Sequence, residues 1–152
     1  MLVGLIADTH GLLRPEVLDA FEGVEHILHA GDVGSRDVLE GLGAIAPVTA
    51  VRGNVDAGLD LPEVARCELA SVRVLVVHGD RLGSPTPETV AKRYTDTDLV
   101  VYGHSHQPVL ARVGDTLVVN PGSAGRRRFR DPVSVARAEL RDGEASVVLV
   151  PL

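Results

Sequence analysis

Cysteine, aromatic residues, long apolar runs and positive charge are all scarce in this chain, and each shortage excludes something. Cys67 is the single cysteine in 152 residues. One thiol makes no internal disulfide and no thiolate cage, which fits a reducing compartment and leaves nitrogen and oxygen donors for any metal site. Tryptophan is missing and aromatics make up 3% of the chain, two Tyr and two Phe, so the core has to be aliphatic. No apolar run is long enough to cross a bilayer, although 45% of the residues are hydrophobic. The start, Met1-Leu2-Val3-Gly4-Leu5, has neither the basic region nor the cleavage site of a secretion signal, and a cytoplasmic protein without a membrane partner is expected. Lys and Arg number 15 against 21 Asp and Glu, a net charge of −6. That balance argues against a general nucleic-acid binder, whose affinity comes from many contacts of Lys and Arg with phosphate; any polyanion would need a local basic patch. The length predicts one domain over residues 1–152, able to bury a core without staples.

What the chain does have is a series of short apolar runs, each ending in polar residues. Leu2 to Ala7 reads as a strand buried on both faces and ends at Asp8-Thr9-His10. Arg14-Pro15-Glu16 opens a helix with Val17, Leu18 and Phe21 as its inner face and Gly23 as its stop. His26 to Ala30 is a second strand, ending at Gly31-Asp32, and Ser35 is placed to cap a helix carrying Val38, Leu39 and Leu42. Pro47 to Val51 is a third, ending at Gly53-Asn54-Val55-Asp56. Strands alternating with short helices imply parallel pairing. Two close strands follow, Val64 to Leu69 and Val72 to Val77, the second ending at His78. Thr86-Pro87-Glu88 starts a helix with Val90, Ala91 and Tyr94 inward, and Leu99 to Tyr102 ends at Gly103-His104-Ser105-His106. Val109 to Val113 and Thr116 to Val119 flank Gly114-Asp115; Val133 to Leu140 and Ala145 to Val150 flank Asp142-Gly143, a tight-turn signal. The C-terminal third is therefore expected to be antiparallel.

Asp8, His10, Asp32, Asn54, His78, His104 and His106 all follow apolar runs, and the C-terminal ends of parallel strands gather along one edge where ligands bind. Each could separately begin a solvated loop, but converging they offer seven donors. One ordinary ion takes four to six ligands, so seven point to two ions sharing a carboxylate.

The order Asp8-Thr9-His10, Gly31-Asp32, Gly53-Asn54, His78, Gly103-His104-Ser105-His106 resembles the calcineurin-like metallophosphoesterases. The short length, Val51-Arg52-Gly53-Asn54 and Asn120-Pro121-Gly122-Ser123 are similar to the small bacterial and archaeal phosphodiesterase branch that includes the retromer subunit homologues. The resemblance covers nearly the whole chain. It implies a four-layer α/β/β/α sandwich, two mixed β-sheets flanked by helices. It also implies two divalent metal ions, one on Asp8, His10, Asp32 and His106 and the other on Asp32, Asn54, His78 and His104, with Asp32 bridging. Asp32, Asn54 and His104 would carry the catalysis. Two divalent ions about 4 Å apart lower the pKa of a shared water and hold phosphoryl oxygens as charge builds, which suits hydrolysis of a small phosphoester, a diester or nucleotide above all. Mixed His, carboxylate and amide donors suit Mn first, and also Zn, Ni, Fe or Co. The alternative is a protein-interaction scaffold of the same fold; seven intact ligand positions favour catalysis. A phosphoprotein phosphatase is disfavoured, since Asp32-Val33-Gly34 and Asn54-Val55-Asp56 lack the Asp-Arg-Gly and Asn-His-Glu patterns of that class. Oligomeric state stays open, a homo-oligomer included.

Many relatives have a proton-donating histidine directly after the Asn, where this chain has Val55. Asp56 is either a substitute acid or a turn-forming residue. His29 either orients a ligand from behind or makes a local hydrogen bond. Arg126, Arg127, Arg128 and Arg130 form the one dense basic cluster, which either holds a substrate phosphate bidentately or is a solvated loop. Asn120 is placed to shape the loop beneath the histidine pair. Ser105 and Ser123 sit in no nucleophile elbow, and no phosphate-cradling or dinucleotide glycine motif is present.

Overall fold

Branched aliphatic runs of three to eight residues form ten strands in a computed structural model that describes all 152 residues. The order is β1 (Leu2–Ile6), α1 (Pro15–Ala20), β2 (His26–His29), α2 (Arg36–Gly43), β3 (Val48–Ala50), β4 (Val64–Leu69), β5 (Val72–Val77), α3 (Pro87–Arg93), β6 (Leu99–Val101), β7 (Val109–Val113), β8 (Thr116–Asn120), β9 (Ser134–Arg141) and β10 (Glu144–Pro151). Two mixed five-stranded sheets result, ordered β10-β9-β1-β2-β3 and β4-β5-β6-β8-β7.

The layers follow from which side chains each strand points where. Val3, Leu5, Leu28, Val74, Val76, Val101 and Val119 meet between the sheets in the largest apolar cluster, with no aromatic ring. Ile6, Ile27 and Val135 turn outward from the first sheet against Val17 of α1, Phe21 at its C-terminal cap, and Val38 and Leu42 of α2. Leu75, Val100, Tyr102 and Val118 turn outward from the second against Val90 of α3. This is the four-layer α/β/β/α sandwich that the resemblance implies. No helix is long and apolar enough to cross a membrane.

The structure departs from the sequence reading in four places. The C-terminal third is not simply antiparallel: β7–β8 and β9–β10 are antiparallel hairpins, but β8 lies parallel to β6, and β9 crosses to the other sheet beside β1. Strand direction in a sheet is set by where the chain re-enters, which short loops such as Asn120-Pro121-Gly122 do not announce. The ligand-bearing strand ends come from both sheets, β1 to β3 on one side and β5 and β6 on the other, so the site straddles the sandwich instead of lining one sheet. Leu18, expected on the inner face of α1, is 49% exposed, because a helix of six residues has room for one buried stripe, through Val17 and Phe21. Ser35 holds the N-cap position of α2 in extended backbone but makes no capping hydrogen bond, whereas Thr86 accepts from Thr89 N–H at 3.2 Å in a reciprocal box with the Thr89 hydroxyl.

Candidate metal centre

The loops that leave β1, β2 and β6 hold side chains on strained backbone. Asp8, His10, Asp32, His104 and His106 have φ of 54°, 48°, 50°, 71° and 60°. Left-handed backbone is uncommon outside glycine, and its concentration at five of the seven predicted positions marks a site that tertiary structure over-determines. Two glycines permit the close approach. A Cβ on Gly53 would run into the Asp32 carboxylate and amide, and one on Gly103 would lie 2.9 Å from the Ala30 carbonyl and 3.0 Å from Asp8 Oδ2.

With the segments that follow β3 and β5, these loops bring together all seven predicted residues. Asp8, His10 and His106 place one ligand atom each within 4.8 Å of one another, and Asp32, His78 and His104 do the same. In the first group His10 Nε2 faces His106 Nε2 at 3.4 Å, and His106 Nε2 lies 3.3 Å from Asp8 Oδ1. In the second His104 Nδ1 faces His78 Nε2 at 3.3 Å, and Asn54 Oδ1 lies 3.2 Å from the same His78 nitrogen. Asp32 joins them: its Oδ2 is 3.3 Å from His78 Nε2 and 3.6 Å from His10 Nε2.

The donor set fits divalent cations. His78 Nδ1–H donates to the Ala30 carbonyl at 2.8 Å, which turns Nε2 into the site. Imidazole lone pairs facing each other across about 3.4 Å repel unless a proton or a cation lies between them. Asp8 is fully buried; its Oδ2 accepts from His104 N–H at 3.2 Å, while Oδ1 has no hydrogen-bond partner at all. An orphaned buried carboxylate oxygen is costly, and a cation is the ordinary remedy.

Electrostatics agree. Burial alone would raise the Asp32 carboxyl, but the hydrogen bond and charge of His78, the Val55 amide and the charge of His10 outweigh it and hold Asp32 below the usual carboxylate value. Burial alone would lower His78, yet its bond to Asp32 and the charges of Asp8 and Asp32 hold it above the ordinary imidazole value. His10 goes the other way, pulled down by burial against the pull of the same two carboxylates, with Arg128 adding to the fall.

Residues 1–143 match the calcineurin-like phosphoesterase superfamily domain. The chain belongs to that superfamily. It is similar to a probable metallophosphoesterase of Methanothermobacter thermautotrophicus, 39% identical over 160 residues that cover 97% of this chain and 92% of the other. A phosphodiesterase of Escherichia coli is 32% identical over 154 residues, covering 84% and 82%. Among solved structures, Vps29 of Entamoeba histolytica complexed with zinc superposes with a TM-score of 0.80 over 99% of both chains at 24% identity, a likeness of fold. The superfamily uses divalent metals, and the two groups of donors are where this phosphoesterase domain can hold them.

Around that centre the domain answers several questions of role. Asp56 is a clamp, not a substitute acid: buried, its carboxylate accepts from Val33, Gly34 and Gly53 N–H at 3.0, 2.9 and 2.8 Å. With both oxygens occupied by amides it ties the Asp32 loop to the Asn54 loop. His29 makes local bonds, accepting from Gly31 N–H at 3.2 Å on Nδ1 and meeting the Thr9 hydroxyl at 2.9 Å on Nε2, and burial pushes it down to about 4. Asn120 Nδ2 donates to the Gly103 carbonyl and the Ser105 hydroxyl at 3.2 and 2.9 Å, shaping the loop beneath the histidine pair. Ser123 donates to the Asp8 carbonyl at 3.0 Å, a supporting contact with no nucleophilic geometry.

Two flanking features complete the surroundings. Arg126, Arg127, Arg128 and Arg130 lie exposed on the loop after Gly125, outside the donor groups, with Arg128 near enough to influence His10. On the opposite side a cavity of about 340 Å³ opens beside Asn54, walled by Arg52, Glu63, Arg81 and Tyr94. Arg52 and Arg81 both donate to Glu63 Oε1. The sequence reading missed this cavity; its one local signal, Arg52 before Gly53-Asn54, is shared with any exposed turn.

Proposed function

We propose that this chain is a dinuclear metal-dependent phosphoesterase that prefers phosphodiesters or small nucleotides. Asp8, His10 and His106 would hold one cation, Asn54, His78 and His104 the other, and Asp32 both. The observation that carries this is the Asp32 carboxylate, 3.3 and 3.6 Å from a histidine of each group, next to the orphaned Asp8 Oδ1. A bound pair of divalent ions supplies a water-derived nucleophile at neutral pH and neutralises charge on the phosphoryl oxygens. The chain's own part is to hold that chemistry still. His78 is fixed in one tautomer by the Ala30 carbonyl, Asp32 is steered by the Val55 amide, and Asp56 locks the two loops together. The cavity beside Asn54 has room for one substituent of a diester, and the arginine loop flanks the other side. Manganese is the leading candidate, with zinc, iron, cobalt and nickel next.

The test is hydrolysis of bis(p-nitrophenyl) phosphate and p-nitrophenyl phosphate by chelated protein with each metal added back. No turnover is expected without metal, recovery with manganese or a similar ion, and a higher kcat/KM for the diester. Metal-independent turnover overturns the reading, and a fully metallated protein that cleaves neither ester makes the chain a scaffold instead.

A further inference from the structure

We propose that the loop Arg126-Arg127-Arg128-Phe129-Arg130 is a docking site for single-stranded nucleic acid beside the phosphoesterase centre. The inference deepens the phosphodiesterase reading, and rests on it, by naming a chain of nucleotides as the substrate class.

Phe129 is the starting point. Its ring is 98% exposed in a protein with two phenylalanines, while the other, Phe21, is fully buried. Phe129 also holds a φ of 52°, a strained conformation for a bulky residue. The strain is imposed by a closed tip: Asp131 N–H donates to the Arg128 carbonyl at 3.0 Å, and the Gln107 amide holds Asp131 Oδ1 at 2.8 Å. A benzyl side chain is thus presented to solvent with no intramolecular contact in return.

The charge around the ring is of one sign. Four guanidiniums flank it within five residues of a chain whose net charge is −6, and none lies within ion-pair distance of a carboxylate. Arginines free of partners around a bare aromatic ring are the combination that grips single strands, phosphates on the cations and a base stacked on the ring. A duplex keeps its bases stacked internally and has no free face for Phe129. A purely electrostatic partner would leave the ring unexplained.

The loop is also tied to the metal centre. Arg14 Nε donates to the Gly125 carbonyl at 3.0 Å, Gly125 N–H to the Ser123 hydroxyl at 3.3 Å, and Ser123 to the Asp8 carbonyl at 3.0 Å. A Cβ on Gly125 would sit 2.6 Å from that Asp8 carbonyl, so the loop leaves directly from the back of Asp8. A strand gripped here would reach the metal centre from the His10 side, with the cavity by Asn54 beyond it.

The chain has no tryptophan, so Phe129→Trp creates a lone indole at the tip, which is excited selectively over the two tyrosines. The experiment uses chelated full-length protein, so binding is read without turnover, and a fluorescein-labelled RNA octamer of mixed sequence, its duplex, inorganic phosphate and phosphatidylserine vesicles as probes. The octamer is expected to quench the indole of the Phe129→Trp protein and the other three are not. By anisotropy, Phe129→Ala should weaken octamer binding about fivefold or more with an unchanged salt slope. Arg126→Gln with Arg128→Gln and Arg130→Gln should weaken it more than tenfold and flatten the slope by about 2. No octamer binding at low salt, equal binding of duplex, quenching by vesicles instead, or affinity indifferent to the loop variants each overturns the proposal. Circular dichroism of the variants guards against misfolding. Because binding is scored without metal, a protein that grips the octamer but never hydrolyses an ester sinks the phosphodiesterase reading and spares the docking site.

Discussion

The backbone N–H of Val55 donates to Asp32 Oδ1 at 3.2 Å. The residue that stands where many members of the wider family carry a proton-donating histidine therefore also steers the carboxylate between the two donor groups, and does so through its backbone. Its side chain is 49% exposed, so a larger ring is accommodated there without touching that bond. If the missing donor limits the site, rates should fall steeply as the leaving group becomes more basic, and Val55→His should flatten that trend. General acid catalysis contributes about 10²-fold, felt by alkyl esters and hardly by nitrophenyl ones. A leaving-group series on both proteins checks this; a wild-type series already flat would mean that another donor serves.

Asp32→Asn should cost more activity than His10→Ala or Asn54→Ala, because it alone removes charge from between both groups. The expected loss is on the order of 10²-fold or more, with fewer than two metal ions retained per chain. Metal analysis of the three purified variants decides it. If only the Asp32 variant keeps two ions, the carboxylate is not shared.

Asp56→Ala should destabilise the fold by roughly 3 kcal/mol, since the buried Val33 and Gly53 amides and the part-buried Gly34 amide lose their acceptor at once. Asp56→Asn should recover part of that loss but lack one acceptor. Urea melts of the chelated proteins measure the difference, and a change below about 1 kcal/mol would mean that water replaces the clamp.

How much of this was legible in the sequence differs by layer. The strand ends were, because a glycine with Asp, Asn or His after an aliphatic run is a local pattern, and the seven residues that the structure brings together all lie at such ends. The parallel pairing of β8 with β6 was not, since it depends on how the chain crosses between sheets rather than on any residue of Thr116–Asn120. Asp56 was ambiguous for a related reason: two of its three amide partners lie more than 20 residues away, and an Asp in a turn looks the same whether it faces solvent or its neighbours' backbone. Leu18 misled because apolarity alone does not set which face of a two-turn helix is buried.

His29 gives a pH dependence with a definite sign. Burial pushes its folded value down to about 4, whereas an unfolded imidazole titrates near 6.5. Below pH 6.5 the unfolded chain takes up a proton that the folded one refuses, so the contribution is complete above 6.5 and is lost as pH falls towards 4, to the extent of roughly 3 kcal/mol. In chelated protein the stability advantage of wild type over His29→Gln should therefore shrink between pH 7.5 and 4.5. An advantage constant over that range would mean that the ring protonates alike in both states.

β1, the strand that delivers Asp8, is central in its sheet, with β2 on one edge and residues 134–141 of β9 on the other. A ribosome makes Leu2–Ile6 well over a hundred residues before Ser134–Arg141. Throughout that interval an apolar strand keeps a bare edge, the kind of surface that recruits other chains. His104 and His106 emerge late in the same wait, and the loop behind Asp8 is fastened by Ser123 and closed only when β9 returns. The centre is therefore a late product of synthesis, and a chain cut short before residue 134 yields no smaller catalyst, only an open strand.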